Sequence, residues 1–99
     1  MVKIVLLDSE TLGEIANLRV LEKLGDLEIH KNTKHEEIID RCAGKEIVIT
    51  NKVVLDKEVL SQLPDLRLIC VSATGTNNID LKYAENKGIE VKNVTAYST

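Results

Sequence analysis

Tryptophan and phenylalanine are absent from this chain, and tyrosine occurs only at Tyr83 and Tyr97. Two rings leave little with which to stack on bases, and 13 scattered basic residues are outnumbered by 16 acidic ones. A net charge of -3 and a pI near 5.4 then argue against nucleic-acid binding. Long hydrophobic runs are lacking too. Ile4 to Leu7 and Leu68 to Val71 are far too short to cross a bilayer, so no membrane partner is expected. Met1-Val2-Lys3 runs straight into a strand-like segment, which leaves no room for a signal peptide and makes a cytoplasmic protein the natural reading. Cysteine is scarce. Cys42 and Cys70 each sit among apolar neighbours, the pattern of reduced core residues rather than of a disulfide or a metal ligand. A single proline and five glycines in 99 residues leave an ordinary globular composition, enough for one domain with a core of its own.

What is present is an alternation of short apolar runs with helix-like segments. Val2 to Leu7, Leu27 to His30, Glu46 to Thr50, Arg67 to Val71 and Ile89 to Val91 read as five strands. Between them, Leu18, Leu21 and Leu24 share one helical face, and Gly25 follows as a stop. Thr33 and Glu36 have the spacing of a capping box in front of Ile38, Ile39 and Cys42, and Gly44 ends that helix. Asp56 can cap a helix carrying Val59, Leu60 and Leu63 that Pro64 terminates, and Asp80 can cap one running through Tyr83 and Ala84 to Gly88. Continuous apolar strands joined by helices imply a parallel sheet covered on both faces. The expected fold is therefore α/β: a three-layer αβα domain over residues 1–99, with a five-stranded flavodoxin-like sheet in the order 2-1-3-4-5. No fifth helix follows the fifth strand, so the domain is expected to lack its final covering helix and to be a truncated piece of something larger.

Ligands of open α/β sheets bind outside the carboxyl ends of the strands. Four loops qualify there, running over 8–12, 50–55, 72–80 and 93–99. The third is the richest in small residues: Ser72, Ala73, Thr74, Gly75 and Thr76 let a backbone approach a ligand closely. Its amides can form an anion-binding nest suited to a carboxylate. A tight turn that merely uses Gly75 explains the same composition, and on residues alone that plainer reading stands slightly ahead. Asp8 and Glu10 occupy the place where receiver domains hold a metal, but Thr50 and Asn51 stand where those domains carry a phospho-accepting aspartate. His30 and His35 lack partners at ligand spacing and read as solvent-facing, so no metal site is expected. No G-x-G-x-x-G occurs, which means that no dinucleotide fingerprint is present, and no Ser/His/Asp or Cys/His arrangement stands out.

Two stretches carry a resemblance. Leu68-Ile69-Cys70-Val71-Ser72-Ala73-Thr74-Gly75-Thr76-Asn77-Asn78-Ile79-Asp80 resembles the start of the substrate loop in D-isomer-specific 2-hydroxyacid dehydrogenases. Gly88 to Thr99 is similar to the family's following segment, with Thr95 where many members have proline. The 74–78 wording and the loop Thr50-Asn51-Lys52-Val53 look most like the glycerate dehydrogenase (hydroxypyruvate reductase) branch. The resemblance implies a substrate-binding domain in which the amides of Thr74 and Gly75 hold the substrate carboxylate. Asn51 and Lys52 would help select its substituent, Tyr97 would touch substrate, and Thr99 would lie on the nicotinamide side of the cleft. It also implies an oxidoreductase, expected as a homodimer, that interconverts a small 2-hydroxy acid and 2-keto acid with NAD or NADP. The catalytic Arg, His and Glu and the nucleotide-binding domain are expected beyond residue 99, so this piece alone would bind no cofactor and be inactive. A free-standing small-carboxylate-binding or self-associating module is the alternative.

Overall fold

The computed structural model describes residues 2–8, 25–71 and 78–93. The helix expected around Leu18, Leu21 and Leu24 lies outside them, as do the 72–77 and 94–99 segments. Five strands form one sheet: β1 (Val2–Leu6), β2 (Gly25–Ile29), β3 (Ile47–Thr50), β4 (Leu68–Val71) and β5 (Glu90–Asn93). Every pairing is parallel and the order is β2-β1-β3-β4-β5, as expected. β1 is flanked on both sides, with Val5 opposite Glu28 and Val48, which is why its run is apolar throughout. The edge strands are the polar ones. Asp26 and Glu28 on β2 and Glu90 and Lys92 on β5 are exposed, a composition that discourages further strands from adding on.

Alternate residues of each strand face opposite sides of the sheet, and the two sides are covered differently. On one side, Val5, Leu7, Val48, Ile69 and Val71 pack with residues of three short helices. These are α1 (Ile38–Cys42), α2 (Lys57–Leu60) and α3 (Leu81–Lys87), contributing Ile38 and Cys42, Val59 and Leu60, and Ala84. On the other side, Ile4, Leu6 and Ile49 form a smaller buried cluster to which no described helix contributes.

The helix starts hold two of the three expected caps. Asp56 Oδ1 accepts from the Val59 amide at 3.0 Å, and Asp80 Oδ1 accepts from the Tyr83 amide at 3.0 Å. Gly88, at φ 84°, closes α3 in the left-handed conformation, while Ile89 N donates back to Ala84 O at 2.8 Å. The capping box expected at Thr33 and Glu36 lies one residue later. A 3-10 turn (His35–Glu37) precedes α1, and Glu37 Oε1 accepts from Lys34 N at 3.0 Å. Thr33 is unavailable for capping because its hydroxyl donates to Leu7 O at 2.7 Å and accepts from Arg41 Nη1 at 2.8 Å. Gly25 begins β2, two residues ahead of the strand start expected at Leu27, and the helix it is expected to stop lies outside the described residues. A Cβ there would overlap the Val2 carbonyl oxygen, so only glycine fits so close to β1.

Candidate functional site at the carboxyl end of the sheet

β1 and β3 are neighbours, so the residues that leave their carboxyl ends meet. Asp8 follows β1 and is 3% exposed. A carboxylate that deep is tolerable only if donors replace the water it has lost. Three neighbouring residues at the end of β3 supply them. Thr50 Oγ1 donates to Asp8 Oδ1 at 3.1 Å, and the Asn51 amide reaches Oδ1 and Oδ2 at 2.9 and 3.1 Å. The Lys52 amide donates to Oδ2 at 2.7 Å. Successive amides turned on one anion make a nest, here filled by the protein's own side chain. Thr50 Oγ1 also accepts from the Val53 amide at 3.1 Å, closing the turn on itself.

The turn is next stitched sideways. Asn78 Nδ2 donates to Val53 O at 2.7 Å, Leu55 N donates to Asn78 O at 2.8 Å, and Asp80 N donates to Leu55 O at 3.0 Å. Leu55 and Ile79 form an isolated parallel bridge, and both are buried. Residues 50–55 are thereby fixed against 78–80, the end of the richest loop in the sequence. A continuous polar rim runs from Asp8 through Asn51 and Lys52 to Asn78.

Of the expected site residues, Asn51 and Lys52 stand together on this rim, Asn51 half-buried and Lys52 exposed. Thr74, Gly75, Tyr97 and Thr99 lie outside the described residues. The sequence singles out Asp8 as a candidate metal ligand beside Glu10 and as the start of the 8–12 loop, whereas its part as acceptor for the 50–52 turn emerges only from the structure. A lone acid directly after the buried run Ile4 to Leu7 is the signal that could have found it. Two shallow depressions lie elsewhere, toward the amino ends of the strands. One is bounded by Leu81, Glu85, Ile89 and Glu90, the other by Lys3, Asp26, Glu28 and Lys45.

Neither cysteine has the character of a nucleophile. Burial pushes the Cys42 thiol up to about 12 and raises that of Cys70 as well. His30 departs from its expected solvent-facing state: it is half-buried, and its Nε2 lies 2.6 Å from Glu28 Oε2, with Lys45 Nζ at 3.6 Å from the other carboxylate oxygen. The His30 hydrogen bond, aided by the charge of Lys45, holds the Glu28 carboxyl below its usual value. At Glu37 the Lys34 amide does the same, with help from Arg41. Among the described residues, no group of three or more His, Cys, Asp or Glu could hold a metal, and no helix is long and apolar enough to cross a membrane.

Comparison with known proteins adds a family to this geometry. The family model described as D-isomer specific 2-hydroxyacid dehydrogenase, catalytic domain, matches residues 4–99. A glycerate dehydrogenase of Methylorubrum extorquens is 40% identical over 97 residues, covering 97% of this chain and 30% of the relative. A hydroxypyruvate reductase of Blautia hydrogenotrophica is 38% identical over 102 residues, covering 98% and 31%. Among solved structures, the NAD+-bound 3-phosphoglycerate dehydrogenase of Entamoeba histolytica superposes with a TM-score of 0.76 at 25% identity, covering 93% of this chain and 32% of that one. The chain thus spans under a third of the length of the curated relatives it matches.

Proposed function

Because the chain belongs to the D-isomer-specific 2-hydroxyacid dehydrogenase family, we propose that residues 1–99 are the front part of the substrate-binding domain of an NAD(P)-dependent oxidoreductase. Its reaction is the reversible transfer of a hydride between a nicotinamide and a small 2-hydroxy or 2-keto acid. The reading closest to the relatives is glycerate dehydrogenase or hydroxypyruvate reductase. The observation that carries it is the similarity to proteins of those two names along 97% and 98% of the chain. The rim supports it, since Asn51 and Lys52 are displayed where open α/β sheets bind ligands.

Within this reading, the amides of Thr74 and Gly75 hold the substrate carboxylate, Asn51 and Lys52 face its substituent, and Tyr97 packs against it. The described residues do not by themselves fit a dinucleotide. Asp8, 50–55 and 78–80 contain no glycine, so they offer no close-approach turn for a pyrophosphate. The nucleotide, NAD or NADP, is assigned to a separate domain, and Thr99 to the side of the cleft that meets it. The catalytic Arg, His and Glu belong with that domain, so the 99-residue piece alone is inactive. The whole enzyme is proposed to be a cytoplasmic homodimer.

The test is turnover of hydroxypyruvate with NADH and with NADPH by the full-length protein that carries this domain. Nicotinamide oxidation is expected, and Asn51→Ala should raise KM for the keto acid more than it lowers kcat. No oxidation with either nucleotide would refute the assignment to this branch of the family.

A further inference from the structure

We infer that Asp8 is a positioning residue for substrate recognition, acting through the turn that presents Asn51 and Lys52; the inference rests on the reading proposed above. Three features of the rim point this way. First, the bonds are one-directional. The Val53 amide donates into Thr50 Oγ1, while the Thr50 hydroxyl and the Asn51 and Lys52 amides all donate to Asp8, so position 8 faces three donors. An aspartate supplies two acceptor oxygens. An asparagine supplies one, and its amino group would face a donor.

Second, the contacts converge on the residues that meet substrate. Asp8 bonds directly to the backbone of both Asn51 and Lys52, across 43 and 44 positions of sequence. The direction of each side chain follows from where its backbone is pinned. Third, the same turn is tied through Val53 to Asn78 and through Leu55 to Asp80. Asp8 therefore holds the near side of a turn whose far side is fixed to residues 78–80. No contact between Asp8 and substrate is involved.

Three variants of the full-length protein test this: Asp8→Asn, Thr50→Val, which removes the hydroxyl at near-constant shape, and Thr50→Ser, which restores it. Asp8→Asn and Thr50→Val should each raise KM for hydroxypyruvate about tenfold, the size expected when a charge-assisted hydrogen bond is lost. KM for the nucleotide should change little and kcat should fall far less than kcat/KM, because the turn contacts substrate equally in ground and transition states. Thr50→Ser should stay near wild type. In parallel, hydrogen exchange at the Asn51 and Lys52 amides should accelerate in Asp8→Asn while the amides of β4 stay protected. Unchanged KM for hydroxypyruvate in the folded variants would overturn the inference, as would equal rises in both KM values. If the wild-type protein does not turn over the keto acid, the proposed function fails, and unchanged exchange at Asn51 and Lys52 would then overturn the clamp itself.

Discussion

Asp8, at the carboxyl end of the sheet, is 3% exposed as a residue and receives a hydroxyl and two backbone amides. Glu28, on the edge strand β2, has a side chain 46% exposed and meets the side chains of His30 and Lys45. One carboxylate organises backbone, and the other decorates a surface. Water can replace the partners of Glu28 at small cost. It has no such access to Asp8, so a hydrogen bond lost there is not made good by solvent. What an acid contributes in this domain depends on what it holds in place and how far from solvent it does so.

The largest effect should come from breaking the buried side of that contrast. Asp8→Ala should cost about 3 kcal/mol in denaturant unfolding, because it leaves two amides and a hydroxyl without their acceptor. A helix cap gives an intermediate case. Asp80→Ala removes one acceptor from the half-exposed start of α3 and should cost about 1 kcal/mol. Cys42 offers a matched test by pH. Its folded thiol is raised above its ordinary value of 9.0, to about 12, by burial. Its contribution is therefore fully present below about pH 9 and is lost as pH rises toward 12. The stability advantage of wild type over Cys42→Ala should narrow by about 1 kcal/mol between pH 8 and pH 10. The smallest effect is expected at Glu28→Gln, less than about 0.5 kcal/mol near neutral pH. Because the Glu28 carboxyl is lowered, that small contribution is present above pH 4.5 and fades as pH falls through its folded value.

The same contrast explains what could be read in the sequence. Strands β1, β3 and β4 are apolar runs bounded by polar residues, and the caps at Asp56 and Asp80 are local patterns three residues long, so periodicity and capping chemistry reveal them. Asp8 reaches its donors only because β1 and β3 pair in parallel, and no local pattern announces a bond across 42 to 44 positions. The capping box slipped by one residue for a similar reason: Thr33 is taken by Leu7 O, 26 positions away. The close approach of Gly25 to the Val2 carbonyl is likewise a tertiary fact that no local pattern announces. His30 gains its partner locally, because positions two apart along an extended chain share a face and bring Glu28 within reach. At Asp8 and Thr33, tertiary competition for donors and acceptors separates the observed details from the expected ones; the sheet order itself follows from element order and handedness.

If Asp8 acts on substrate through the Asn51–Lys52 turn, the two positions are energetically coupled, and a double-mutant cycle on KM for hydroxypyruvate reads that coupling. Asp8→Asn and Asn51→Ala should each raise KM in the full-length protein, and the double variant should be scarcely worse than the worse single one, because both changes break the same linkage. Effects that multiply, as for two independent sites, would mean that Asp8 does not act through Asn51.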